Sequence, residues 1–340
     1  MGASERPIKF LTNCSPLEKT QGAGREFFIE TIEDKDMVRP RGKLLLAKGL
    51  FKNSAIIIHQ PGAEIVYLAF LHWVFYKWTA KIIAVDFQFS KPKKGFISQI
   101  KSAVWKFAWS KVDLVLGHMK YNIYLNKYYG IDDSKFYYIP FKVNGLNAMD
   151  ECMSYESDYI FSGGYSWRNY DLLFRAMAQL PDIRLRLLTL KKERLTIHNT
   201  YFKDADLPDN VTVFEHDLNP GTWMEEISKS RCVVLPISPD AICSNGISVA
   251  LQAMALGKCL IITNCPAVEG IFIDRVDCFI VDPADTDGMA KVISEVVNNS
   301  ELRRKVAEAG RLKALSYGGV DELMERIMGA SLQLGFRSAR

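Results

Sequence analysis

Residues 243–272, CSNGISVALQAMALGKCLIITNCPAVEGIF, contain the pattern that determines the expected fold. Residues 244–246 are small and polar and form a turn with a good helix N-cap. Residues 249–256 have the spacing of one amphipathic helix, which Gly257 ends. Residues 260–263 are apolar up to a final threonine, as in a short buried strand. The order of turn, helix and buried strand is typical of an α/β domain.

The start of this helix has the chemistry of an anion site. The first turn of a helix carries backbone N–H groups without helical partners and the positive end of the helix dipole. Phosphate groups bind at such ends. Ser244, Asn245 and Gly246 therefore predict either a phosphate or diphosphate site or an ordinary capped helix.

Buried strands alternate with helices from about residue 55 onward, and the first 50 residues contain only two weak strands. This alternation predicts parallel sheets with helices on both faces. A polar segment near residues 143–157 separates two such runs. We therefore expect an N-terminal domain over residues 1–150, a C-terminal domain over residues 151–325 and a tail over residues 326–340.

The composition is that of a soluble globular protein, with 48% hydrophobic and 24% charged residues. Seven cysteines without a Cys-x-x-Cys pair favour buried thiols in a reducing compartment over disulfides or a zinc site. The N-terminus has no apolar signal-peptide core, and the longest apolar run, residues 65–76, is too short to span a bilayer. We expect a cytoplasmic location.

Several catalytic motifs are missing from the sequence. Neither G-x-G-x-x-G nor G-x-x-x-x-G-K-[ST] occurs in the expected context, which argues against a dinucleotide oxidoreductase and a P-loop ATPase. The sequence also contains no H-E-x-x-H, no G-x-S-x-G and no aspartate-rich metal cluster. The function must therefore be sought after the ends of the predicted strands, where open α/β sheets bind ligands.

A second informative segment, FSGGYSWRNYDLLFRA, covers residues 161–176. Gly163 and Gly164 follow a strand, where the lack of side chains lets the backbone approach a ligand. Arg168 lies at the start of the next helix, where its guanidinium could clamp phosphate oxygens. The alternative interpretation is a tight turn with a surface arginine.

Together these segments resemble the donor-binding domain of GT-B glycosyltransferases, in particular the retaining enzymes of family 4. The resemblance rests on the glycine turn, the basic residue after it and the motif S-x-G-x₅-[EQ]-A-M-A-x-G-K, which starts at Ser244. It covers residues 155–325 strongly and residues 50–150 more weakly. It implies two Rossmann-like domains facing each other across a cleft. It also implies metal-free, retaining transfer of a hexosyl or related group from a nucleotide-diphosphate sugar.

The resemblance also implies roles for individual residues. The backbone N–H groups of Ser244, Asn245 and Gly246 would bind the donor diphosphate. Arg168 stands where the family usually has a lysine, and would bind the diphosphate and assist its departure. Ser244 and Gln252 occupy the positions of the family's Glu-x₇-Glu motif. Gln252 would hydrogen-bond a ribose hydroxyl, whereas Ser244 lacks the carboxylate that contacts the donor sugar.

In the N-terminal half, Asp86 follows a strand where the family often has a polar residue near the reacting carbon. It would orient the acceptor hydroxyl or stabilise positive charge at the anomeric centre. His59 and Gln60 end another strand and are candidates for acceptor contacts. A purely structural role for His59 is the alternative.

Charge is distributed unevenly along the chain. Residues 1–150 contain 22 Lys and Arg against 13 Asp and Glu, and residues 72–127 contain ten lysines against two acids. On the predicted helix 96–109, one apolar stripe is expected to face the core: Phe96, Ile100, Val104 and Phe107. Lysine and tryptophan share another face: Lys94, Lys101, Trp105 and Trp109. That face indicates contact with an anionic membrane surface. The alternative is that its lysines are simply solvated. No nucleic-acid partner is expected.

The sequence thus predicts a glycosyltransferase on the inner face of the cytoplasmic membrane. Its acceptor would be a lipid-linked or other saccharide in bacterial surface-polysaccharide or glycolipid synthesis. Two alternatives stay open. One is a GT-B sugar-nucleotide epimerase or hydrolase, and the other is a non-catalytic, glycosyltransferase-like binding subunit.

Overall fold

The computed structural model describes residues 8–19, 27–33, 40–151, 155–203, 206–217 and 219–334. The chain divides into two compact units. The first unit comprises Met1–Ile139 together with Asp321–Arg340, and the second comprises Pro140–Val320. Among these described residues, each unit contains one six-stranded sheet whose paired strands are all parallel.

The sheet of the first unit has the order β2-β1-β3-β4-β5-β6. Its strands are β1 (Ile8–Thr12), β2 (Phe27–Thr31), β3 (Ala55–His59), β4 (Lys81–Val85), β5 (Leu114–Gly117) and β6 (Phe136–Tyr138). In the described part of this unit, four helices connect β2 to β6 in turn: α1 (Pro40–Lys52), α2 (Glu64–Val74), α3 (Phe96–Ser110) and α4 (Ile123–Tyr129). Each connection moves in the same direction across the sheet, so right-handed crossovers place all four helices on one face.

The sheet of the second unit has the order β12-β11-β10-β7-β8-β9. Its strands are β7 (Tyr159–Gly163), β8 (Arg184–Thr189), β9 (Val211–Glu215), β10 (Cys232–Leu235), β11 (Cys259–Thr263) and β12 (Phe279–Val281). Its helices are α5 (Tyr170–Met177), α6 (Lys192–Leu195), α7 (Pro220–Lys229), α8 (Ile247–Ala255), α9 (Thr286–Asn298) and α10 (Ser300–Leu315). This is the doubly wound order, in which the direction of winding reverses between β7 and β10.

The predicted buried strands are confirmed by the core of the second unit. Every residue of β7, β10 and β11 is buried. Helices on both faces cover these strands, which explains why their sequences are continuous apolar runs rather than alternating ones. The packed strands give the loops at their carboxyl ends a rigid support.

The boundary between the units differs from the expected one. We expected it at residue 150, whereas the first unit ends at Ile139. The polar segment that suggested the later boundary begins within the second unit. There the N–H group of Val143 donates to the carbonyl oxygen of Gly318 over 2.8 Å. The polar composition of the segment therefore does not mark where contacts stop.

The expected tail over residues 326–340 is partly helical. Helix α11 (Val320–Leu332) covers its first part, and residues 335–340 lie outside the described part of the chain. In the first unit, the Sδ atom of Met324 on α11 lies 3.7 Å from the Sγ atom of Cys14. The buried apolar face of α11 therefore belongs to the core of the first unit.

Helix α1 was missed by the sequence analysis. Its sequence includes Gly42 and Gly49, which weaken helix propensity and hide the helical period. Leu46 and Leu50 are buried. A Cβ atom on Gly49 would collide with the side chain of Leu11 on β1. Glycine at this position therefore allows a close approach of helix to sheet rather than ending the helix.

The orientation expected for α3 is wrong. Trp109, expected on the surface with the lysines, is fully buried, and Trp105 is half-buried. Phe96, Ile100 and Val104, expected in the core, are exposed. The helix is apolar on both faces, and the larger ring of Trp109 fills the interior. It packs against two further aromatic rings, those of Phe87 and Phe89, at 6.1 and 5.1 Å.

The six described cysteines are free and buried, as expected; Cys152 lies outside the described residues. Burial raises the pKa of the Cys232 thiol to about 12 and that of Cys265 to about 11. Among the described helices, none is long and apolar enough to cross a membrane.

Candidate functional site

The loop between β7 and α5 holds Arg168 in the interior, with only 5% of the residue exposed. Its Nε atom donates to the carbonyl oxygen of Gly163 over 3.2 Å, and Nη1 donates to that of Ser166 over 2.6 Å. Its backbone N–H group donates to the hydroxyl of Thr200 over 2.9 Å. These bonds fix the guanidinium within the loop, so the alternative of a surface arginine does not hold.

The charge of Arg168 is not balanced by a carboxylate among the described residues. Burial lowers the pKa of its guanidinium, and an arginine nevertheless stays protonated at neutral pH. A buried cation without a counter-charge is unfavourable unless an anion joins it. The site therefore has the electrostatics of an anion-binding position.

The two glycines of the loop leave space that is filled by other side chains of this protein. A Cβ atom on Gly163 would lie 2.6 Å from the indole of Trp223. Gly164 has a φ of +111°, and a Cβ atom there would collide with the guanidinium of Arg168. The hydroxyl of Tyr170 donates to the carbonyl oxygen of Gly164 over 2.6 Å. The direct contact of these glycines with a ligand stays a prediction.

The loop between β10 and α8 brings the second motif to the same place. The Nδ2 atom of Asn245 donates to the hydroxyl of Ser166 over 3.0 Å. Gly246 caps α8 with a φ of +90°. A Cβ atom on Gly246 would lie 3.7 Å from Nη1 of Arg168. The N-terminus of α8 and the buried guanidinium are therefore neighbours.

Both loops follow strands at which the winding reverses, β7 and β10. Ligands of doubly wound sheets bind at this switch point. The structure brings together five of the predicted donor-binding residues: Gly163, Gly164, Arg168, Asn245 and Gly246. Ser244 is buried directly before them in the chain.

Gln252 makes a different contact. Its Nε2 atom donates to the carbonyl oxygen of Asn144 over 3.3 Å, and the residue is buried. The side chain of Asn144 in turn donates to the hydroxyl of Ser248 over 2.5 Å. Gln252 thus holds the segment after β6 against α8, and its ribose contact stays a prediction.

The first unit has a cluster of polar side chains at the carboxyl ends of β3, β4 and β5. One carboxylate oxygen of Asp86 lies 3.4 Å from Nε2 of His59 and accepts a hydrogen bond of 3.1 Å from Gln60. The other oxygen lies 3.8 Å from Nε2 of His118. The predicted acceptor-side residues and the predicted catalytic aspartate are therefore in one place.

Two residues of this cluster have a backbone conformation that is unfavourable for side chains other than glycine. Gln60 and Asp86 have φ values of +51° and +50°. Such strain persists only where the surroundings impose it, and it concentrates at functional sites. The amide of Asn13 holds the residue before Gln60, because it bonds the backbone N–H and carbonyl groups of His59 at 2.7 and 2.8 Å.

Asp86 is strongly acidic in this environment. Burial alone would raise the pKa of its carboxyl group. The hydrogen bond from His59 and the charges of His118 and His59 outweigh burial and lower the pKa to about 2, with a further contribution from Gln60. The carboxylate is therefore anionic at neutral pH and suits hydrogen-bond acceptance or charge stabilisation better than proton transfer.

His118 was not predicted to take part in the site. It follows β5 directly, and its Nδ1 atom lies 3.1 Å from the carbonyl oxygen of Ile139. Its position after a strand was visible in the sequence as Gly117-His118. Its distance to Asp86 depends on the pairing of β4 with β5, which the sequence does not specify.

The fold is that of GT-B glycosyltransferases, as expected. A glycosyltransferase from Rickettsia africae superimposes with a TM-score of 0.65 and 13% identity, over 96% of this chain and 98% of that one. HepE from Anabaena, solved with UDP, superimposes with a TM-score of 0.67 and 12% identity, over 96% of this chain and 100% of that one. HepE was also solved with UDP-glucose.

Within this fold, residues 157–313 match the family model of the glycosyl transferases group 1. The match includes both loops of the Arg168 site. An uncharacterized glycosyltransferase of Haemophilus influenzae is 25% identical over 193 residues. That alignment covers 55% of this chain and about half, 52%, of the relative. The comparisons thus show a GT-B fold and a match to the glycosyl transferases group 1 over residues 157–313.

Proposed function

We propose that this chain is a glycosyltransferase that uses a nucleotide-diphosphate sugar as its donor. The observation that carries the proposal is the buried Arg168 guanidinium, which has no carboxylate partner among the described residues and lies beside the N-terminus of α8. A diphosphate supplies the missing negative charge and accepts hydrogen bonds from the helix. The UDP and UDP-glucose complexes of HepE support this choice of ligand.

In the proposed reaction the bond between the anomeric carbon and the donor diphosphate breaks. The electron pair of that bond leaves with the phosphate oxygen. The hydroxyl oxygen of the acceptor forms the new bond to the anomeric carbon, and the proton of that hydroxyl passes to the departing diphosphate. Arg168 and the backbone N–H groups at Asn245 and Gly246 stabilise this negative charge as it develops, because they are fixed before the reaction begins. The proposal includes retention of configuration, as in family 4, and no metal.

The acceptor contacts in this proposal belong to the first unit. The Asp86 carboxylate accepts a hydrogen bond from the attacking hydroxyl or stabilises positive charge at the anomeric carbon. His59 and Gln60 hold Asp86 and also contact the acceptor. The low pKa of Asp86 supports this role over that of a general base.

The proposed acceptor is a lipid-linked or other saccharide of bacterial surface-polysaccharide or glycolipid synthesis. The enzyme acts in the cytoplasm at the inner face of the membrane, which the first unit meets through residues 72–127. The ten lysines of that range support an anionic partner. Nucleic acid is not part of the proposal, because residues 151–340 are net acidic.

A thermal-shift screen against nucleoside diphosphates and their sugar conjugates tests the donor. A ligand that binds only the folded protein raises the transition temperature. We expect a shift with at least one of them in the wild type and its loss in Arg168→Gln. Arg184→Gln is the matched control, since Arg184 is an exposed arginine of the same unit. The proposal fails if no member of the panel shifts the wild type.

The second candidate is a non-catalytic binding subunit. Ser244 and Gln252 replace two carboxylates of the family, and the amide of Gln252 is engaged with Asn144. Donor binding without turnover on membrane extracts would favour this candidate. Conversion of the nucleotide sugar without any acceptor would instead favour an epimerase or hydrolase.

A further inference from the structure

Helix α3 presents an apolar stripe to solvent. Phe96 is 76% exposed and Ile97 is 71% exposed, and Ile100 and Val104 are also exposed. At about 100° per residue, these four side chains fall within an arc of roughly 100°. Trp109, on the opposite side of the helix, is fully buried. Thus the outward stripe is separate from the face that packs on the sheet.

Helix α2 extends this exposed surface. Phe70, Trp73 and Val74 are exposed on α2. The ring of Trp73 meets that of Phe107 on α3 edge to face, with centroids 5.8 Å apart. We define the apolar patch as the exposed side chains of both helices: Phe70, Trp73, Val74, Phe96, Ile97, Ile100 and Val104. Clustered exposure on adjacent helices marks an interaction surface, whereas scattered apolar residues do not.

The charge around the apolar patch is positive. Lys101 and Lys106 are exposed and flank the stripe on α3, and Lys94 is exposed just before the helix. Residues 65–131 contain only two carboxylates, Asp86 and Asp113. Asp86 lies among histidines, and Asp113 pairs with Lys81 over 2.8 Å. The exposed charge next to the patch is therefore cationic.

Building on the membrane location in the proposed function, we propose that the apolar patch inserts into the headgroup region of an anionic lipid bilayer, with α3 parallel to the membrane plane. An apolar stripe bordered by lysines matches both parts of such a surface, the acyl boundary and the anionic headgroups. Three of the inserting side chains, Phe96, Ile100 and Val104, were expected in the core from the sequence. The buried Trp109 takes no part.

Vesicle flotation tests this proposal with the full chain and phosphatidylcholine vesicles, with and without phosphatidylglycerol. We expect binding to the anionic vesicles only. The double variant Ile97→Ser/Ile100→Ser should bind at least about tenfold more weakly. Lys101→Gln and Lys106→Gln should each weaken binding about fivefold. Leu312→Ser, at a 67% exposed position of α10 in the second unit, is the matched control and should bind as the wild type does.

Two results would overturn the proposal. The first is that the wild type does not float with anionic vesicles. If the wild type instead self-associates and the double serine variant is monomeric, the patch is a contact between copies of this chain. The other is equal binding of the double serine variant, which would mean adhesion through lysines alone. The nucleotide thermal shift, measured on the same proteins, reports the donor site independently of these results.

Discussion

The side-chain amide of Asn245 donates a hydrogen bond of 3.0 Å to the hydroxyl of Ser166, although 79 residues separate them in the chain. This bond joins the loop after β7 to the loop before α8. Arg168 lies two residues after Ser166, and Gly246 directly follows Asn245. The anion site therefore exists only when both loops are folded against each other, and a change in either loop should affect ligand binding.

Gly164→Ala tests this dependence. The glycine has a φ of +111°, and a Cβ atom would collide with the Arg168 guanidinium. We expect a loss of stability of about 1 kcal/mol or more and a weaker nucleotide shift. Gly329→Ala on α11 is the control. No atom lies within 4 Å of its Cβ position, so alanine should stabilise the helix by about 0.5–1 kcal/mol. Equal effects of the two variants would contradict the packing described for Gly164.

The acidity of Asp86 predicts a pH dependence of stability. Its pKa falls from the ordinary 3.8 to about 2 in the folded protein, so the unfolded chain binds the proton more tightly. The resulting stabilisation is fully present above about pH 4 and is lost as the pH falls through about 2. At neutral pH it amounts to about 2 kcal/mol, since one pKa unit corresponds to about 1.4 kcal/mol.

Urea unfolding of the wild type and Asp86→Asn, followed from about pH 2 to pH 6, measures this contribution. The variant should lose less stability than the wild type across the acid range. Parallel curves for the two proteins would show that Asp86 is not held by its histidine neighbours.

The cysteine thiols should react slowly with thiol reagents while the protein is folded. The six described thiols are buried, and burial raises the pKa of Cys232 and Cys265 well above neutral. In a Cys152→Ser background, a disulfide reagent should label all six after unfolding but none rapidly before it. Rapid labelling of the native protein would contradict the burial of at least one cysteine.

The strand pattern and the two loop motifs could be predicted from the sequence because each rests on local composition. Buried strands of a parallel sheet are short apolar runs, and those of β10 and β11 stand out as such. The loops after β7 and before α8 are marked by glycine and small polar residues. The carboxyl ends of parallel strands meet at one edge, so their proximity followed from the fold class.

Other features depended on contacts between distant parts of the chain. Helix α1 was missed because Gly49, which allows the close approach to Leu11, weakens the helical pattern of the sequence. His118 lies near Asp86 only because β4 pairs with β5. The choice between the two apolar faces of α3 was decided by the fit of Trp109 against Phe87 and Phe89. Periodicity locates an apolar face but does not distinguish core from surface when both sides of a helix are apolar.

The central claim is that Arg168 binds the diphosphate of a nucleotide-sugar donor. The most direct measurement is calorimetric titration of the wild type and Arg168→Gln with the nucleoside diphosphate that gives the largest thermal shift, and with its parent nucleoside. Hydrogen bonds to a charged group contribute about 1.5–3 kcal/mol, so the variant should bind the diphosphate at least about tenfold more weakly. Its affinity for the nucleoside should be unchanged. Equal losses for both ligands, or no loss for the diphosphate, would contradict the claim.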